Sequence, residues 1–271
     1  IDKKIFIMTQ ALILAAGRGT RLRPLTNDRP KCLVHLLGKS LLERQVHTLR
    51  QEGVTQIHIA TGYRSDQIEA LGFETSFNAR YAVTNMVETL FCAMDFIKQS
   101  DKKKEDLIIA YGDIVYQPEN LKDLLNCDDE IALMIDAKWE DLWRLRLDNP
   151  LDDAETLVMN DDGYVTELGK KPDNYARIQG QYTGLIKIRA DKLDDFINFY
   201  QQMDCNKEYD GKDFDNIYMT SFLQLLIDNG WKAKAVLVDN GWLEVDSVED
   251  LEHYEKMAKD GKLDQFYKVI D

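Results

Sequence analysis

The sequence predicts an α/β fold in which helices cover a mostly parallel β-sheet. Short apolar runs at residues 12–16, 54–60 and 107–111 are typical of buried strands. Between the first two runs, Ser40 and Glu43 form the pattern of a helix capping box, and apolar residues follow at helical spacing. A strand–helix–strand order of this kind favours parallel strands joined by a right-handed crossover.

The first strand leads into a glycine turn that is rich in positive charge. Gly17 and Gly19 allow the backbone to turn sharply and to direct its N–H groups at an anion. The four cations around this turn are Arg18, Arg21, Arg23 and Lys31. A triphosphate needs such positioned cations, because the charge that develops on its oxygens during transfer must be stabilised. The turn therefore predicts a phosphate site.

Two common phosphate-binding motifs do not fit this turn. The dinucleotide fingerprint requires a third glycine at the position of Leu22. The Gly-Lys-Ser segment at residues 38–40 resembles the end of a Walker motif, but the first glycine of that motif would fall on Leu33. The turn therefore belongs to neither of these nucleotide-binding classes.

The composition excludes several other classes of partner. The chain has 271 residues and a net charge of −14, which argues against nucleic acid or an anionic membrane as a general partner. Its four cysteines lack C-x-x-C spacing, and no apolar run approaches the ~20 residues of a membrane span, so we expect a cytoplasmic protein with reduced thiols. Met8 resembles a natural start, and residues 1–7 are expected to be an added extension.

A longer motif contains the glycine turn. The stretch from Leu14 to Thr26 follows the pattern L-x-A-G-x-G-T-R-x-x-P-L-T, and Pro30-Lys31 comes shortly after it. This pattern resembles the signature of the nucleotidyltransferases that make nucleoside-diphosphate sugars and related activated compounds. The resemblance implies a Rossmann-like three-layer nucleotidyltransferase fold with a mixed, mostly parallel sheet and an acceptor-binding β insertion. It also implies phosphoryl transfer in which Arg21 and Lys31 hold the triphosphate and stabilise the transition state.

The same resemblance predicts one domain over residues 8–258. Its nucleotide-binding half covers about residues 8–125, and its acceptor-binding half covers about residues 131–246. Asn85 and Thr89 offer an amide and a hydroxyl that either discriminate the edge of a nucleotide base or serve only the helix that they begin. The predicted nucleotide contacts are Leu14, Ala15, Ala16, Gly17, Gly19, Thr20, Tyr63, Asn85, Thr89 and Gly112.

Two aspartates are predicted to hold Mg²⁺. Asp113 follows the strand at residues 107–111, and an acidic residue at the carboxyl end of a parallel strand lies on the ligand side of the sheet. Residues 241–246, which end in Asp246, resemble the W-x-x-[VI]-D segment whose aspartate shares the metal in the family. Carboxylates, phosphate oxygens and water are the ligands that Mg²⁺ prefers. A turn or capping role is the alternative for Asp113, and Glu244 is expected to be a supporting group.

The segment between these two aspartates is expected to choose the acceptor. Residues 156–168 predict a β-hairpin. In the family, the lysine of an E-K-P motif holds the acceptor phosphate. Here we assign that role to Lys171, which precedes a proline, over its neighbour Lys170. Tyr182 and Gly184 belong to a segment similar to the strand that lines the family's acceptor pocket.

An acidic cluster follows two tryptophans in this segment. Asp152, Asp153 and Glu155 lie close together in the chain, downstream of Trp139 and Trp143. Carboxylates beside aromatic rings suit a cationic group better than a neutral sugar, because charge pairing and cation–π contact both favour a cation. The alternative is a solvated acidic turn.

Three segments narrow the predicted function. Residues 85–87, 111–116 and 149–156 most resemble a small group of cytidylyltransferases. That group couples CTP to a small amine- or amide-bearing phosphate or phosphonate, such as phosphoglutamine, releases pyrophosphate, and serves capsule or surface polysaccharide decoration. Two alternatives stay open: a sugar-1-phosphate nucleotidyltransferase that uses CTP, UTP or dTTP, and a nucleotide-binding subunit without catalysis. The expected partners are CTP, Mg²⁺ and the acceptor, and the sequence leaves open whether the protein is a homodimer.

Overall fold

A seven-stranded sheet runs through the computed structural model, which describes residues 8–269. The predicted extension at residues 1–7 lies outside the described residues. The strands are β1 (Thr9–Ala15), β2 (His35–Leu36), β3 (Lys39–Ser40), β4 (Gln56–Thr61), β5 (Glu74–Phe77), β6 (Asp106–Tyr111), β7 (Ile114–Tyr116), β8 (Ile131–Asp136), β9 (Leu157–Met159), β10 (Val165–Leu168), β11 (Gln181–Ile188), β12 (Ala233–Val238) and β13 (Trp242–Glu244). The helices are α1 (Leu41–Gln51), α2 (Ser65–Glu69), α3 (Met86–Cys92), α4 (Met94–Lys103), α5 (Pro118–Leu125), α6 (Trp139–Arg146), α7 (Leu193–Gln202), α8 (Met219–Asp228) and α9 (Val248–Lys259).

The main sheet is mixed but mostly parallel, as the sequence predicts. Its strand order is β12-β8-β11-β6-β1-β4-β5, and β11 alone runs antiparallel to both of its neighbours. The central strand β1 pairs in parallel with β4 and β6, so that Leu12 lies between His58 and Ile109. The carboxyl ends of these three strands therefore meet at one edge of the sheet, where ligands bind in open α/β sheets.

Both faces of the sheet are covered by helices. In β1, Ala11 and Ile13 pack into one hydrophobic cluster with α1, α5, α6 and α9. Leu12 and Leu14 pack into a second cluster with α3, α4, α7 and α8. A strand that is buried on both faces is apolar along its length rather than alternating, which explains the continuous apolar run in the sequence. The result is the three-layer arrangement that the family resemblance implies.

Two local predictions illustrate where the sequence was sufficient and where it was not. The capping box of α1 is present, since Ser40 Oγ accepts a hydrogen bond from the Glu43 amide at 3.1 Å. Residues 215–226 have the apolar spacing of a helix and predict one that starts at residue 215, but α8 begins only at Met219, because the Asp213 side chain caps a separate 3₁₀ turn and Tyr218 adopts an extended conformation. No helix within residues 8–269 has the length and apolarity needed to cross a lipid bilayer.

A small antiparallel pair brings distant parts of the chain together at the edge of the sheet. The strands β7 and β13 pair with Glu244 opposite Ile114. The Val245 amide also donates a hydrogen bond to the Asp113 carbonyl at 3.0 Å. Asp113, which follows β6, therefore lies beside the β13 segment, more than 100 residues later in the chain. The predicted hairpin is present as β9 and β10, with an irregular register.

Candidate active site

The glycine turn after β1 is tightly packed against Lys31. Gly19 has a positive φ of 67°, and a Cβ built on it would come within 2.9 Å of Lys31 Cβ. The Thr26 hydroxyl donates a hydrogen bond to the Gly19 carbonyl at 2.7 Å, which fixes the turn. Glycine at this position therefore meets two requirements, since it adopts the left-handed conformation and leaves room for the lysine.

A cavity of about 390 Å³ opens over this turn. Every predicted nucleotide contact except Tyr63 lines it, together with Arg21, Lys31, Asp113 and Asp246. Glu244 lines it as well, so the cavity combines a backbone turn, two cations and three carboxylates, which are the groups that bind a triphosphate and a metal ion in phosphoryl transfer.

Tyr63 supports the glycine turn rather than lining the cavity. Its backbone amide donates a hydrogen bond to the Ala16 carbonyl at 3.0 Å, and the Arg18 guanidinium lies 4.9 Å from the centre of its ring. The aromatic residues that line the cavity are Tyr81 and Tyr111. No periodicity or motif in the sequence indicates a role for Tyr81, which lies in an irregular loop between β5 and α3.

The two residues predicted to contact the base already bond to the protein. Asn85 Oδ1 accepts a hydrogen bond from the Met86 amide at 2.8 Å and so caps α3. Thr89 Oγ1 accepts a hydrogen bond from Asn78 Nδ2 at 3.0 Å. Both side chains line the cavity, but part of their hydrogen-bonding capacity is used within the fold. Base recognition by this pair stays a prediction.

Gly112 places Asp113 on the floor of the cavity. The Gly112 amide donates a hydrogen bond to the Leu14 carbonyl at 2.9 Å. A Cβ on Gly112 would lie 2.6 Å from that carbonyl oxygen, so a larger residue would push β6 away from β1. This close approach explains why a glycine precedes the aspartate.

Three carboxylates converge next to the glycine turn. Asp113, Glu244 and Asp246 each offer an oxygen, and these oxygens all lie within 4.8 Å of one another. The second oxygen of Asp113, Oδ1, is buried without a hydrogen-bond partner among the described residues. An orphaned carboxylate oxygen among three acidic groups fits a hard divalent cation such as Mg²⁺. From the sequence we expected Glu244 to be only a supporting group. In the structure its oxygen belongs to the same 4.8 Å cluster as the oxygens of the two aspartates.

Lys31 and Arg21 neutralise part of this carboxylate cluster. Lys31 Nζ lies 2.6 Å from Asp113 Oδ2 and also bonds to Asp246 Oδ1. Arg21 Nη2 donates to Asp246 Oδ2 at 2.8 Å. Burial alone would lower the pKa of Lys31, but the charges of Asp113 and Asp246 outweigh it and raise that pKa above its ordinary value. Lys31 is therefore a fixed positive charge at physiological pH.

Arg146 is a site residue that sequence analysis did not assign. It is 6% exposed and donates hydrogen bonds to Glu244 Oε2 at 2.8 Å and to Asp250 Oδ1 at 2.9 Å. Asp250 in turn accepts a hydrogen bond from the Asp246 amide at 2.9 Å. Arg146 thus connects α6 to both acidic residues of the β13 segment. The only indication in the sequence of this role for Arg146 is its position in a charged stretch at the end of a helix.

A second cavity, of about 200 Å³, adjoins the first. Of the predicted acceptor contacts, Asp153, Glu155, Tyr182 and Gly184 line it. The aromatic residues in its wall are Tyr111, Trp143, Tyr182, Tyr218 and Trp242. An acidic pocket with aromatic walls suits a cationic group.

Two predicted acceptor contacts lie outside the lining of this second cavity. Lys171 is exposed, and its Nζ donates to the backbone carbonyl of Asp152 at 2.7 Å. The Asp152 carboxylate accepts a hydrogen bond from Asn149 Nδ2 at 2.9 Å. Trp139 is buried in the hydrophobic core, so Trp143 is the tryptophan of α6 that reaches the cavity.

Glu155 is the least exposed acidic residue of the cluster. Among the described residues its carboxylate has neither a hydrogen-bond partner nor an ion pair, although its backbone bonds to Gln181. Burial, together with the nearby charge of Asp153, raises the pKa of Glu155 to about 7. A half-buried, unpaired carboxylate that lines a cavity can accept a donor or pair with a cation from a ligand.

The two cavities share one wall, whose residues are Asn85, Met86, Tyr111, Glu244 and Asp246. The carboxylate cluster therefore lies between a cavity with a phosphate-binding turn and a cavity with an acidic, aromatic lining. This arrangement can hold two small molecules side by side, with their adjoining ends at the carboxylates.

Comparison with known proteins agrees with this geometry. A family model described as nucleotidyl transferase matches residues 10–138. The CTP:phosphoglutamine cytidylyltransferase of Campylobacter jejuni is 44% identical over 247 residues, which cover 89% of this chain and 97% of that protein. Identity at this level over most of both chains shows that the chain belongs to the nucleotidyl transferase family. It is a nucleotidyltransferase, as the glycine-turn motif predicts.

Solved structures support the same fold. The CTP:phosphocholine cytidylyltransferase from Streptococcus pneumoniae superimposes with a TM-score of 0.67 at 21% identity. The match covers 93% of this chain and 100% of that one. The inositol-1-phosphate CTP transferase from T. maritima gives a TM-score of 0.69 at 23% identity, with coverage of 97% and 99%. The predicted Rossmann-like α/β fold is thereby confirmed.

Proposed function

We propose that this protein is a divalent-cation-dependent cytidylyltransferase that transfers CMP from CTP to a small phosphorylated acceptor bearing an amine or amide, such as phosphoglutamine. An oxygen of the acceptor phosphate attacks the α-phosphorus of CTP. The bond between the α-phosphorus and the bridging oxygen breaks, and pyrophosphate leaves in line. No covalent enzyme intermediate forms, so the protein acts by positioning both partners and neutralising charge.

The single observation that carries this proposal is the wall shared by the two cavities. Transfer between two bound molecules requires that their reacting ends lie within about 3–3.5 Å of each other. Glu244 and Asp246 line both cavities, and Asp113 lies in the first cavity with an oxygen within 4.8 Å of theirs. A triphosphate over the glycine turn and an acceptor against the aromatic walls would meet at these carboxylates.

Each group at the first cavity then has a role in the transfer. Arg21 and Lys31 hold the triphosphate and stabilise the charge that develops on it, and the backbone amides of residues 16–20 cradle its oxygens. Asp113 and Asp246, with Glu244 beside them, would hold Mg²⁺. The cation, when bound, neutralises negative charge on the phosphates.

The second cavity supports an acceptor that carries both charge signs. The Glu155 carboxylate is available to pair with an ammonium group, and the aromatic walls add cation–π attraction. Two donors in residues that line this cavity, Trp143 Nε1 and the Tyr182 hydroxyl, are buried without a partner in the described part of the chain. An amino-acid acceptor offers an ammonium group for the carboxylate and oxygens for the two donors. This favours phosphoglutamine over the phosphate of an uncharged sugar, which has no ammonium group.

The proposal is tested by following the phosphorus atoms. The full chain is incubated with CTP, Mg²⁺ and phosphoglutamine, and the products are examined by ³¹P NMR and mass spectrometry. We expect free pyrophosphate and a CMP–acceptor conjugate whose two phosphorus signals couple to each other through a new P–O–P linkage. Hydrolysis of CTP without a conjugate, or no turnover, would overturn the proposal.

A matched pair of lysine variants ties the product to the site. Lys31→Ala removes a cation that lines the first cavity, whereas Lys39→Ala removes one from the β2–β3 hairpin, which lines neither cavity. Conjugate formation should be lost in the first variant and kept in the second. Equal activity of the two variants would place the chemistry elsewhere.

We further propose that the product serves capsule or surface polysaccharide decoration, and that transfer takes place in the cytoplasm. Both roles come from the resemblance to the cytidylyltransferase group. A deletion strain should lose phosphorus-containing groups from its surface polysaccharide and regain them with the intact gene but not with an Asp113→Asn gene. Unchanged polysaccharide phosphorus in the deletion strain would contradict this role.

A further inference from the structure

Each member of the carboxylate cluster, which consists of Asp113, Glu244 and Asp246, already has a positively charged side chain beside it. Lys31 contacts Asp113 and Asp246, and its Nζ lies 2.6 Å from the first of them. Arg21 pairs with Asp246 at 2.8 Å, and Arg146 pairs with Glu244 at 2.8 Å. Three negative charges thus face three positive charges, so the cluster is neutralised from within. A divalent cation entering this arrangement would meet the repulsion of the cations as well as the attraction of the carboxylates.

Lys31 is the cation that most directly blocks the cluster. Its ammonium group bridges the two aspartates, and its side chain is 13% exposed, so little water screens the contact. The side chain is also packed beneath the glycine turn, where it lies close to Gly19. An ion pair shielded from water in this way is stronger than a pair on the surface, and a metal ion must displace the ammonium to take both carboxylates.

The three cations differ in how easily they can exchange partners. Arg146 is 6% exposed and is held by Asp250 as well as by Glu244. Lys31 and Arg21 both line the first cavity beside the glycine turn, where a triphosphate would offer them new oxygen partners. Polyphosphate in this cavity can therefore attract Lys31 and Arg21 while Arg146 stays in place.

We propose that Lys31, assisted by Arg21, closes the carboxylate cluster to divalent cations until a polyphosphate draws it away, so that the metal enters the site only together with the nucleotide. The inference rests on the proposed function, since it concerns the same triphosphate cavity. Because Lys31 and Arg21 leave the carboxylates only when phosphate oxygens replace them as partners, the metal does not occupy the site before the triphosphate arrives. This exchange of partners also delivers the lysine to the phosphates in the same step.

The test measures Mn²⁺ binding to the nucleotide-free full chain, with free Mn²⁺ followed by electron paramagnetic resonance. We expect wild-type protein to bind Mn²⁺ weakly at this site, and Lys31→Met to bind it at least about tenfold more tightly, because an ammonium in contact with two ligands has been removed. Lys31→Arg, which keeps the charge, should bind as weakly as wild type. Thermal unfolding of each variant verifies that it is folded, and Lys31→Gln replaces Lys31→Met if the latter is not.

Two further variants make the result specific to the cluster. Lys39→Met also removes one positive charge but lines neither cavity, so its Mn²⁺ affinity should equal that of wild type. The double variant Lys31→Met/Asp113→Asn should lose the gain seen in Lys31→Met. Equal affinities of wild type and Lys31→Met, or a gain that persists in the double variant, would overturn the inference. No nucleotide or acceptor is present, so failure of the cytidylyltransferase assay leaves this comparison unchanged.

Discussion

The two cavities differ in how the chain builds them. The first cavity, which is proposed to hold the nucleotide, draws the largest continuous part of its wall from one stretch, residues 14–21, with Lys31 shortly after it. The second cavity, which is proposed to hold the acceptor, takes shorter pieces from separate elements, among them Trp143 of α6, residues 181–184 of β11 and Trp242 of β13. The glycine-turn side of the first cavity is therefore visible in the sequence as a continuous motif, whereas the second cavity is assembled only in the folded protein.

This difference follows from what each ligand requires. Triphosphate oxygens are recognised by successive backbone amides and nearby cations, so their receptor is a short segment of defined conformation. A small organic acceptor is recognised by side chains that surround it, and these come from whichever elements the fold brings together. Variants on the nucleotide side should therefore affect chemistry, and variants on the acceptor side should affect selectivity.

The largest effect is expected at the carboxylate cluster. Asp113→Asn removes one charge from the three converging carboxylates. We expect kcat to fall by at least about 100-fold, the scale of losing one electrostatic stabiliser, as measured by pyrophosphate release. The exposed Asp128 gives a control, since Asp128→Asn lies away from both cavities and should keep normal turnover. Near-normal turnover of Asp113→Asn would show that the cluster is not the reaction centre.

Arg146 tests whether the wall shared by the two cavities is held by a buried ion pair. Replacing it in Arg146→Gln leaves Glu244 and Asp250 without their buried partner, and breaking such a pair costs roughly 3–5 kcal/mol. The free energy of unfolding, measured in denaturant, should fall by about this amount. Arg144→Gln is the matched control on the same helix, because Arg144 is exposed and pairs only with Glu140 among the described residues. Its effect should stay within about 1 kcal/mol, and similar losses in both variants would contradict the assignment.

A smaller and more selective effect is expected on the acceptor side. Glu155→Gln removes a half-buried, unpaired carboxylate of the second cavity, so the KM for an ammonium-bearing acceptor should rise about tenfold while the KM for CTP stays constant. Asp152→Asn is the comparison, since its carboxylate is bonded to Asn149 and lies outside the cavity lining. A larger change in Asp152→Asn than in Glu155→Gln would restore Asp152 as the acceptor contact.

The smallest expected effect is a pH dependence of acceptor binding. The pKa of Glu155 is raised to about 7, so its carboxyl group is mostly neutral at pH 6 and mostly ionised at pH 8. Only the ionised form pairs with an ammonium group, and kcat/KM for the acceptor should therefore increase with pH across this window, by about fivefold. The acceptor phosphate also titrates near pH 6. The difference between wild type and Glu155→Gln isolates the carboxylate, and parallel profiles would contradict its role.

Sequence alone predicted the parts of the molecule that depend on local patterns. The apolar run of β1, the capping box of α1 and the glycine turn all have local physical causes, and the structure contains each of them. The placement of Glu244 in the carboxylate cluster could not be foreseen, because it depends on the pairing of β13 with β7. Tyr218 lines the second cavity because the chain just before α8 is extended. The apolar spacing of residues 215–226 indicates a helix there and therefore did not predict this extended conformation.

The proposed cytidylyltransferase activity is tested most simply by combining each nucleoside triphosphate with a set of acceptors in the presence of Mg²⁺. Pyrophosphate release is measured for CTP, UTP, dTTP and ATP against phosphoglutamine, phosphocholine, 2-aminoethylphosphonate and glucose 1-phosphate. We expect release with CTP and an amine- or amide-bearing acceptor, greatest for phosphoglutamine and strongly reduced in Glu155→Gln. Turnover with glucose 1-phosphate alone would keep the fold and the triphosphate site but contradict the proposed role of the acidic, aromatic cavity.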